Sequence, residues 1–151
     1  MDTRKHQEVR HWVQKAIALY ESSDRERALA QIADPKGLFI DGTRYIFALD
    51  LEGKLLAHPF LKELVGSNLT DLRDSEGRSF IRKLLSRAKN RGYGFVDYMW
   101  QVPNSTEDLH KTVFFKLVDG MILCSGFYDV KGSPIEALYM SKSAKGFMVY
   151  L

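Results

Sequence analysis

Three consecutive segments in the second half of the chain are predicted β-strands, and their spacing constrains the fold more than any other feature. The segments are residues 95–101, 111–118 and 121–128. Each is rich in the aromatic and β-branched residues that strands favour. Asp119-Gly120 between the last two is a hairpin turn signal, and a polar stretch at 104–108 separates the first two. Adjacent strands joined by short turns predict an antiparallel sheet.

The first part of the chain is predicted to be helical. Its apolar stripe consists of Val9, Trp12, Val13, Ala16, Ile17 and Tyr20. These positions follow the i, i+3, i+4 spacing of one helix face. Ser23-Asp24-Arg25-Glu26 fits a capping box, in which the Ser23 hydroxyl caps a second helix. That helix ends before Pro35, because proline disfavours a helical conformation in the residue that precedes it.

The middle of the chain contains a predicted hairpin, a long loop and a third helix. Residues 43–49 and 54–57 form the hairpin, with a turn that ends at Gly53. The loop at 58–77 is irregular, and loops of this length are often functional. An amphipathic helix follows and ends at Gly92. Because the helices are segregated from the strands, the order of elements predicts the α+β class.

We predict a single domain over residues 1–151, because a chain of 151 residues has an ordinary domain size. The net charge is +3, from 22 basic and 19 acidic residues. This balance does not indicate the clustered basic surface that binds nucleic acid. The chain has one cysteine, Cys124, so an intramolecular disulfide is excluded. Its apolar surroundings in the sequence predict a buried structural thiol.

The sequence leaves the location of the protein open. No apolar stretch reaches the roughly 18 residues that a transmembrane helix requires. Residues 1–10 are too polar for a secretory signal peptide. We therefore expect a cytoplasmic protein if this chain is the complete product, and a periplasmic domain if a signal or membrane anchor was removed from it.

No motif for catalysis or cofactor binding is found. The sequence contains neither a phosphate-binding Walker A loop nor a Gly-x-Ser-x-Gly nucleophile motif. The loop acids Asp71, Asp74 and Glu76 lack the spacing of a calcium-binding EF-hand, so turn and capping roles are predicted for them. The sequence therefore predicts neither an enzyme, a metal site nor a cofactor.

Several motifs together resemble the single Cache (PAS-like) family of sensor domains. They lie at 35–39, 45–59, 65–69, 71–77, 94–100, 111 and 125–128. The resemblance covers roughly residues 9–130 and leaves 131–151 as a C-terminal extension. It implies a PAS-like five-stranded antiparallel sheet with a long N-terminal helix. It also implies a pocket for a small ligand, commonly a short carboxylate such as acetate, propionate, lactate or pyruvate, and a role in signal transduction or chemotaxis.

Side-chain alternation along the strands places the candidate ligand-binding residues on one face of the sheet. The candidates are Tyr45, Phe47, His58, Tyr98, Trp100, Lys111 and Phe115. Lys111 is suited to pair with a carboxylate, and tyrosine hydroxyls supply directional hydrogen bonds. Three other interpretations stay open at this point: an ordinary aromatic core, a solvated strand lysine, and a histidine that anchors its loop.

Two functions follow from these patterns. In the first, the loop that begins at His58 closes over a carboxylate ligand, and closure shifts the sheet against the N-terminal helix. In the second, the domain binds no small ligand, and the apolar stripe of the N-terminal helix packs on a second copy of the chain to form a homodimer.

Overall fold

The computed structural model describes residues 3–41, 44–101 and 108–128. The described helices are α1 (Thr3–Ser22), α2 (Arg25–Ala33) and α3 (Phe80–Arg91), and the described strands are β1 (Phe47–Asp50), β2 (Leu55–Ala57), β3 (Tyr93–Gln101), β4 (Asp108–Val118) and β5 (Met121–Tyr128). The C-terminal extension, which the sequence suggests holds a short helix at 134–140 and a strand at 146–151, lies outside the described residues.

The five strands form one antiparallel sheet in the order β2-β1-β5-β4-β3. This arrangement confirms the predicted α+β class and the five-stranded sheet. Asp119 and Gly120 both have positive φ angles, 49° and 81°, as a two-residue hairpin turn requires. The hairpin therefore fixes the register between β4 and β5, in which Val118 pairs with Met121 and Lys111 with Tyr128.

Helix α1 covers one face of the sheet. Val9, Val13, Ala16 and Ile17 are buried, and they share a core cluster with Phe114 and with other residues of the sheet. These four residues belong to the apolar stripe that was a candidate dimer interface, and they pack within the chain instead. No helix in the described ranges is both long enough and apolar enough to cross a bilayer.

Helix α3 and the long loop before it cover the other face. The apolar side chains of α3 pack in a second core cluster with the inward side chains of β3, β4 and β5. All five apolar positions that the sequence predicted for this helix face are buried: Phe80, Ile81, Leu84, Leu85 and Ala88. The helix ends at Gly92 in the left-handed conformation, with φ of 83°, as the sequence predicted. The two helical layers enclose the sheet, so side chains on either face are removed from water.

The first strand is shorter than predicted. It begins at Phe47, because the chain just before it forms a tight turn. The amide of Asp41 donates to the carbonyl of Arg44 (3.0 Å), and the amide of Arg44 donates to the carbonyl of Asp41 (2.9 Å). Arg44 also forms a 2.8 Å ion pair with Glu8 of α1. Strands β3 and β4 begin earlier than predicted, at Tyr93 and at residue 108.

The predicted cap of α2 is also wrong by one residue. Asp24 is the N-cap, and its carboxylate accepts a 2.8 Å hydrogen bond from the amide of Arg27. The Ser23 hydroxyl instead donates to the carbonyl of Leu19 in α1. A carboxylate at the N-cap also has the charge that the helix dipole favours, which explains why Asp24 takes the position.

A buried carboxylate fastens the long loop to strand β3. The Asp74 side chain is fully buried and accepts hydrogen bonds from the amides of Glu76 (3.0 Å), Arg78 (2.8 Å) and Met99 (3.0 Å). Its other contact is the Arg78 guanidinium, at 2.9 Å. Ser75 adds hydrogen bonds from its amide and its hydroxyl to the Met99 carbonyl. We call this group of contacts the Asp74 latch; it confirms the predicted turn and capping role for Asp74.

The latch keeps Asp74 ionised. Burial by itself raises the pKa of this carboxyl, but the hydrogen bonds from Met99 and Arg78 outweigh burial, so the net pKa is lowered. The described residues contain no cluster of three or more His, Cys, Asp or Glu side chains that would hold a metal ion.

Removing the charge of Asp74 tests the latch. We expect Asp74→Asn to lower the free energy of unfolding by about 1–3 kcal/mol near neutral pH, because it leaves buried N–H donors without acceptors. Since the folded pKa is lowered, the wild-type contribution is present above the ordinary value of 3.8 and is lost as the pH falls through the folded value. Urea unfolding near neutral pH and at about pH 3 measures both effects.

Asp71→Asn is the matched control in the same loop. The Asp71 side chain is 93% exposed and pairs with Arg82 at 2.8 Å, so we expect a cost of at most about 1 kcal/mol. Equal losses for the two variants would show that the Asp74 contacts do not fasten the loop.

Candidate ligand-binding site

Lys111 is the most unusual residue of the sheet. It lies on β4 with 1% of its surface exposed, although lysine is almost never fully buried without a partner. Its ammonium donates a 3.1 Å hydrogen bond to the Tyr45 hydroxyl. The Nζ atom lies 4.9 Å from the ring centroid of Tyr128, 5.1 Å from that of Tyr45 and 5.8 Å from that of Phe47. Aromatic faces therefore surround the charge and attract it.

Burial changes the ionisation of Lys111. Loss of hydration lowers its pKa from the ordinary 10.5 to about 7. The same burial raises the pKa of the neighbouring Cys124 thiol, so this cysteine stays a neutral, structural thiol, as predicted. The site therefore holds a basic group whose charge changes near neutral pH.

The strand register explains how the chain brings these side chains together. Lys111 pairs with Tyr98 of β3 on one side and with Tyr128 of β5 on the other. Residues opposite each other in a sheet project to the same face, so one row of three side chains crosses the sheet. Tyr45 and Phe47 approach from the β1 side, and both belong to the same core cluster as Tyr98 and Tyr128. The predicted facing of these strands is confirmed.

His58 anchors the loop that it begins. Its ring is fully buried, and Nδ1 accepts hydrogen bonds from the amides of Phe60 (3.0 Å) and Leu61 (3.1 Å). An acceptor at Nδ1 carries no proton, so the neutral ring has its N–H at Nε2. The ring stacks on Phe47 with a centroid distance of 5.6 Å and lies 5.1 Å from the ring of Tyr45. His58 therefore holds the loop against the aromatic wall around Lys111.

Tyr98 links the lysine row to helix α3. Its ring stacks on Phe80 at a centroid distance of 4.1 Å, and it is 1% exposed. Burial, and secondarily Tyr128 and Cys124, raise the pKa of Tyr98 well above 10.0. The phenol is therefore protonated at every physiological pH.

The structure does not bring every predicted residue to the ammonium. Phe115 lies four residues from Lys111 along β4, about 13 Å at the usual strand rise, where it packs in the core over Gly94. Trp100 belongs to β3, paired with Leu109, but its side chain lies outside the described residues. The roles predicted for Phe115 and Trp100 stay predictions.

Tyr128 was not predicted from the sequence, although its ring lies closer to the Lys111 ammonium than the rings of Tyr45 and Phe47 do. A usable signal was present. Counting outward from the Asp119-Gly120 turn places residue 128 opposite residue 111, so the hairpin alone determines that the two side chains are neighbours.

Residues 5–129 match the family model for the Cache domain. The chain belongs to the Cache domain family. This confirms the resemblance to Cache sensor domains and the prediction of a sensor fold. A curated relative is the methyl-accepting chemotaxis protein McpP of Pseudomonas putida, 29% identical over 136 residues, which covers 82% of this chain. The chain spans about a quarter of the length of that relative, 25%.

Solved structures give the same result. A Cache chemosensory domain described for its recognition of carboxylic acids is 29% identical, with a TM-score of 0.68, and covers 83% of this chain and 94% of that one. A periplasmic sensor domain of a chemotaxis protein is 27% identical, with a TM-score of 0.62 and coverages of 82% and 90%. A methyl-accepting chemotaxis protein from Vibrio parahaemolyticus, 21% identical with a TM-score of 0.65, covers 82% of this chain and 87% of that one and shares the fold. Cache domains of chemotaxis receptors are thus among the relatives of this chain.

The burial of Lys111 predicts a specific dependence of stability on pH. Because its folded pKa is about 7 and its unfolded value is the ordinary 10.5, the unfolded chain binds the extra proton between these values. The free energy of unfolding therefore gains up to about 1.4 kcal/mol per pH unit from this group as the pH rises above about 7. Urea unfolding at several pH values compares the wild type with Lys111→Met, in which this gain is absent.

Lys116→Met is the control for that measurement. Lys116 lies on the same strand with partial exposure, so its removal should leave the pH-dependent gain intact. A gain that persists in Lys111→Met would mean that Lys111 is not the group responsible.

Proposed function

We propose that this Cache domain is a sensor that binds a short carboxylate, of the acetate, propionate, lactate and pyruvate class, at Lys111. The observation that carries the proposal is the buried ammonium of Lys111 among aromatic rings. Enclosing a cation costs several kcal/mol, and a bound carboxylate offsets that cost through a charge-assisted hydrogen bond. The similar Cache domain described for carboxylic acid recognition supports this ligand class.

In the proposed complex, one carboxylate oxygen accepts from the Lys111 ammonium and from the Tyr45 hydroxyl. These two groups already lie 3.1 Å apart, so a single oxygen can reach both donors. The aromatic walls favour the short apolar part of the ligand, because a small-ligand site combines an apolar lining with a few polar groups. We propose that Tyr98, Phe47 and His58 line the ligand site.

Strand β4 connects the proposed ligand to the N-terminal helix. Lys111 lies on the face of β4 that meets the aromatic rings, whereas Phe114 lies in the other core cluster with Val9 and Val13 of α1. A ligand that pulls the His58 loop and β4 together therefore favours one packing of α1 over another, and it biases the two by its differential affinity. This is the route that we propose from ligand to signal in chemotaxis.

The proposal extends to assembly and location. We propose an extracytoplasmic site of action, because the similar sensor domain of a chemotaxis protein is periplasmic. The role is binding without turnover, so no catalytic residue or cofactor is assigned. A homodimer through α1 stays a prediction, and its contact would use the helix surface that does not pack on the sheet.

Lys111→Met tests the proposed ligand contact. We expect the affinity for the carboxylate that binds best to fall by at least about 30-fold, because removing one partner of a buried charge pair costs about 2–5 kcal/mol. Isothermal titration calorimetry on the wild type, after a thermal-shift screen of acetate, propionate, lactate and pyruvate, measures the change.

Lys116→Met is again the matched control, and it should bind as the wild type does. Tyr45→Phe should weaken binding by a smaller factor, about 2- to 12-fold, because it removes one hydrogen bond of about 0.5–1.5 kcal/mol. Unchanged affinity in Lys111→Met would contradict the assignment of the site. A wild-type domain that binds none of the four acids would instead favour a ligand-free interaction module.

A further inference from the structure

One position in the sheet beside Lys111 has no side chain. Gly126 lies on β5 opposite Val113 of β4, between two residues that project to the Lys111 face, Cys124 and Tyr128. Its φ angle is not among the positive ones, so its backbone conformation does not require glycine. The reason for glycine at this position must therefore be the space around it.

Lys111 and the two residues that follow it on β4 occupy that space. A methyl group on the Gly126 α-carbon would lie 2.8 Å from the Lys111 Cε, 2.8 Å from the Thr112 carbonyl oxygen and 2.9 Å from the Val113 Cγ2. Carbon atoms in contact stay about 3.5–4.0 Å apart, so the methyl group and the lysine side chain exclude each other.

The neighbouring contacts show where this path leads. Ser125, next to Gly126, donates a 2.9 Å hydrogen bond from its hydroxyl to the carbonyl of Tyr45, which brings the backbone of Tyr45 beside β5 at this point. Lys111 starts in the row opposite Tyr128 and ends with its Nζ 3.1 Å from the Tyr45 hydroxyl. Its side chain therefore passes over Gly126 on the way from β4 to Tyr45.

We propose that Gly126 is a positioning residue for the ligand-binding lysine: its missing side chain leaves the gap through which Lys111 reaches Tyr45. This inference deepens the proposed function and rests on it for the role of Lys111 in ligand binding. The placement of Lys111 itself rests on the geometry alone. Gly126 touches no ligand in this scheme and acts through the lysine.

Another strand glycine provides a matched control. Gly94 lies on β3, where a methyl group would meet the Phe115 ring, with its nearest atom at 3.1 Å. Gly94→Ala therefore tests the general cost of adding a methyl group to this sheet without touching Lys111. Its effect should be the same whether or not residue 111 is a lysine.

The first experiment is a double-mutant cycle on stability, which needs no ligand. Gly126→Ala is made in the wild type and in Lys111→Ala, and the loss of melting temperature is compared. We expect a loss that is several degrees smaller in the Lys111→Ala background, because shortening the lysine removes the clash at Cε. Folding of the double variant where Gly126→Ala alone does not fold would support the inference in the same way.

An equal loss in both backgrounds, including failure of both to fold, would overturn the inference. It would mean that glycine is required here only by the Thr112 carbonyl and by the spacing between β4 and β5. Gly94→Ala should lower the melting temperature equally in both backgrounds. It therefore provides the reference for two positions that do not interact.

The second experiment measures carboxylate affinity by calorimetry in the same variants. We expect Gly126→Ala to weaken binding at least about tenfold in the wild type and Gly94→Ala to leave it unchanged. Unchanged affinity in a folded Gly126→Ala would overturn the positioning role. If the wild type binds no carboxylate, the proposed function fails, and the stability cycle still decides whether Gly126 positions Lys111.

Discussion

The burial of the Lys111 ammonium is the constraint on which the site depends. A lysine at 1% exposure loses the hydration that normally keeps it charged, and the fold compensates with a tyrosine hydroxyl at 3.1 Å and with the faces of aromatic rings. Burial nevertheless lowers its pKa to about 7. An anion therefore contributes more to this site than it would to a solvated lysine, because it restores the stabilisation of the charge that burial removed.

The rest of the fold keeps that environment closed to water. Helix α1 covers one face of the sheet, while α3 and the loop that follows β2 cover the face that carries Lys111. The loop is fixed at both ends, at one by His58 through the amides of Phe60 and Leu61, and at the other by the Asp74 latch on β3. Between these anchors, the amide of Gly66 donates to the carbonyl of Leu55 (2.8 Å) and the amide of Leu55 donates to the carbonyl of Ser67 (3.0 Å), so hydrogen bonds to β2 also hold the middle of the loop.

Much of this architecture was predictable because it depends on short-range rules. The hairpin turn at Asp119-Gly120 fixes two strands and their register, and helical periodicity identifies the faces of α1 and α3. The start of β1 and the cap of α2 were not predictable, because each depends on which of two neighbouring groups forms a particular hydrogen bond. The same applies to the site: alternation placed Tyr45, Tyr98 and Lys111 on one face, but it could not distinguish a solvated lysine from a buried one. Burial is set by the helix and loop that cover the sheet. Tyr128 is identified as a neighbour of Lys111 only when the register is counted outward from the turn.

In the proposed complex a carboxylate binds the charged form of Lys111, which is largely neutral in the free protein above about pH 7. Calorimetric titration at about pH 8 in two buffers of different ionisation enthalpy measures it most directly, because the difference between the two heats gives the number of protons taken up on binding. With a free pKa of about 7 for Lys111, we expect an uptake of about 0.9 proton at that pH and almost none at about pH 6. An uptake near zero at both pH values would contradict it, since the carboxylate would then be held without recharging Lys111.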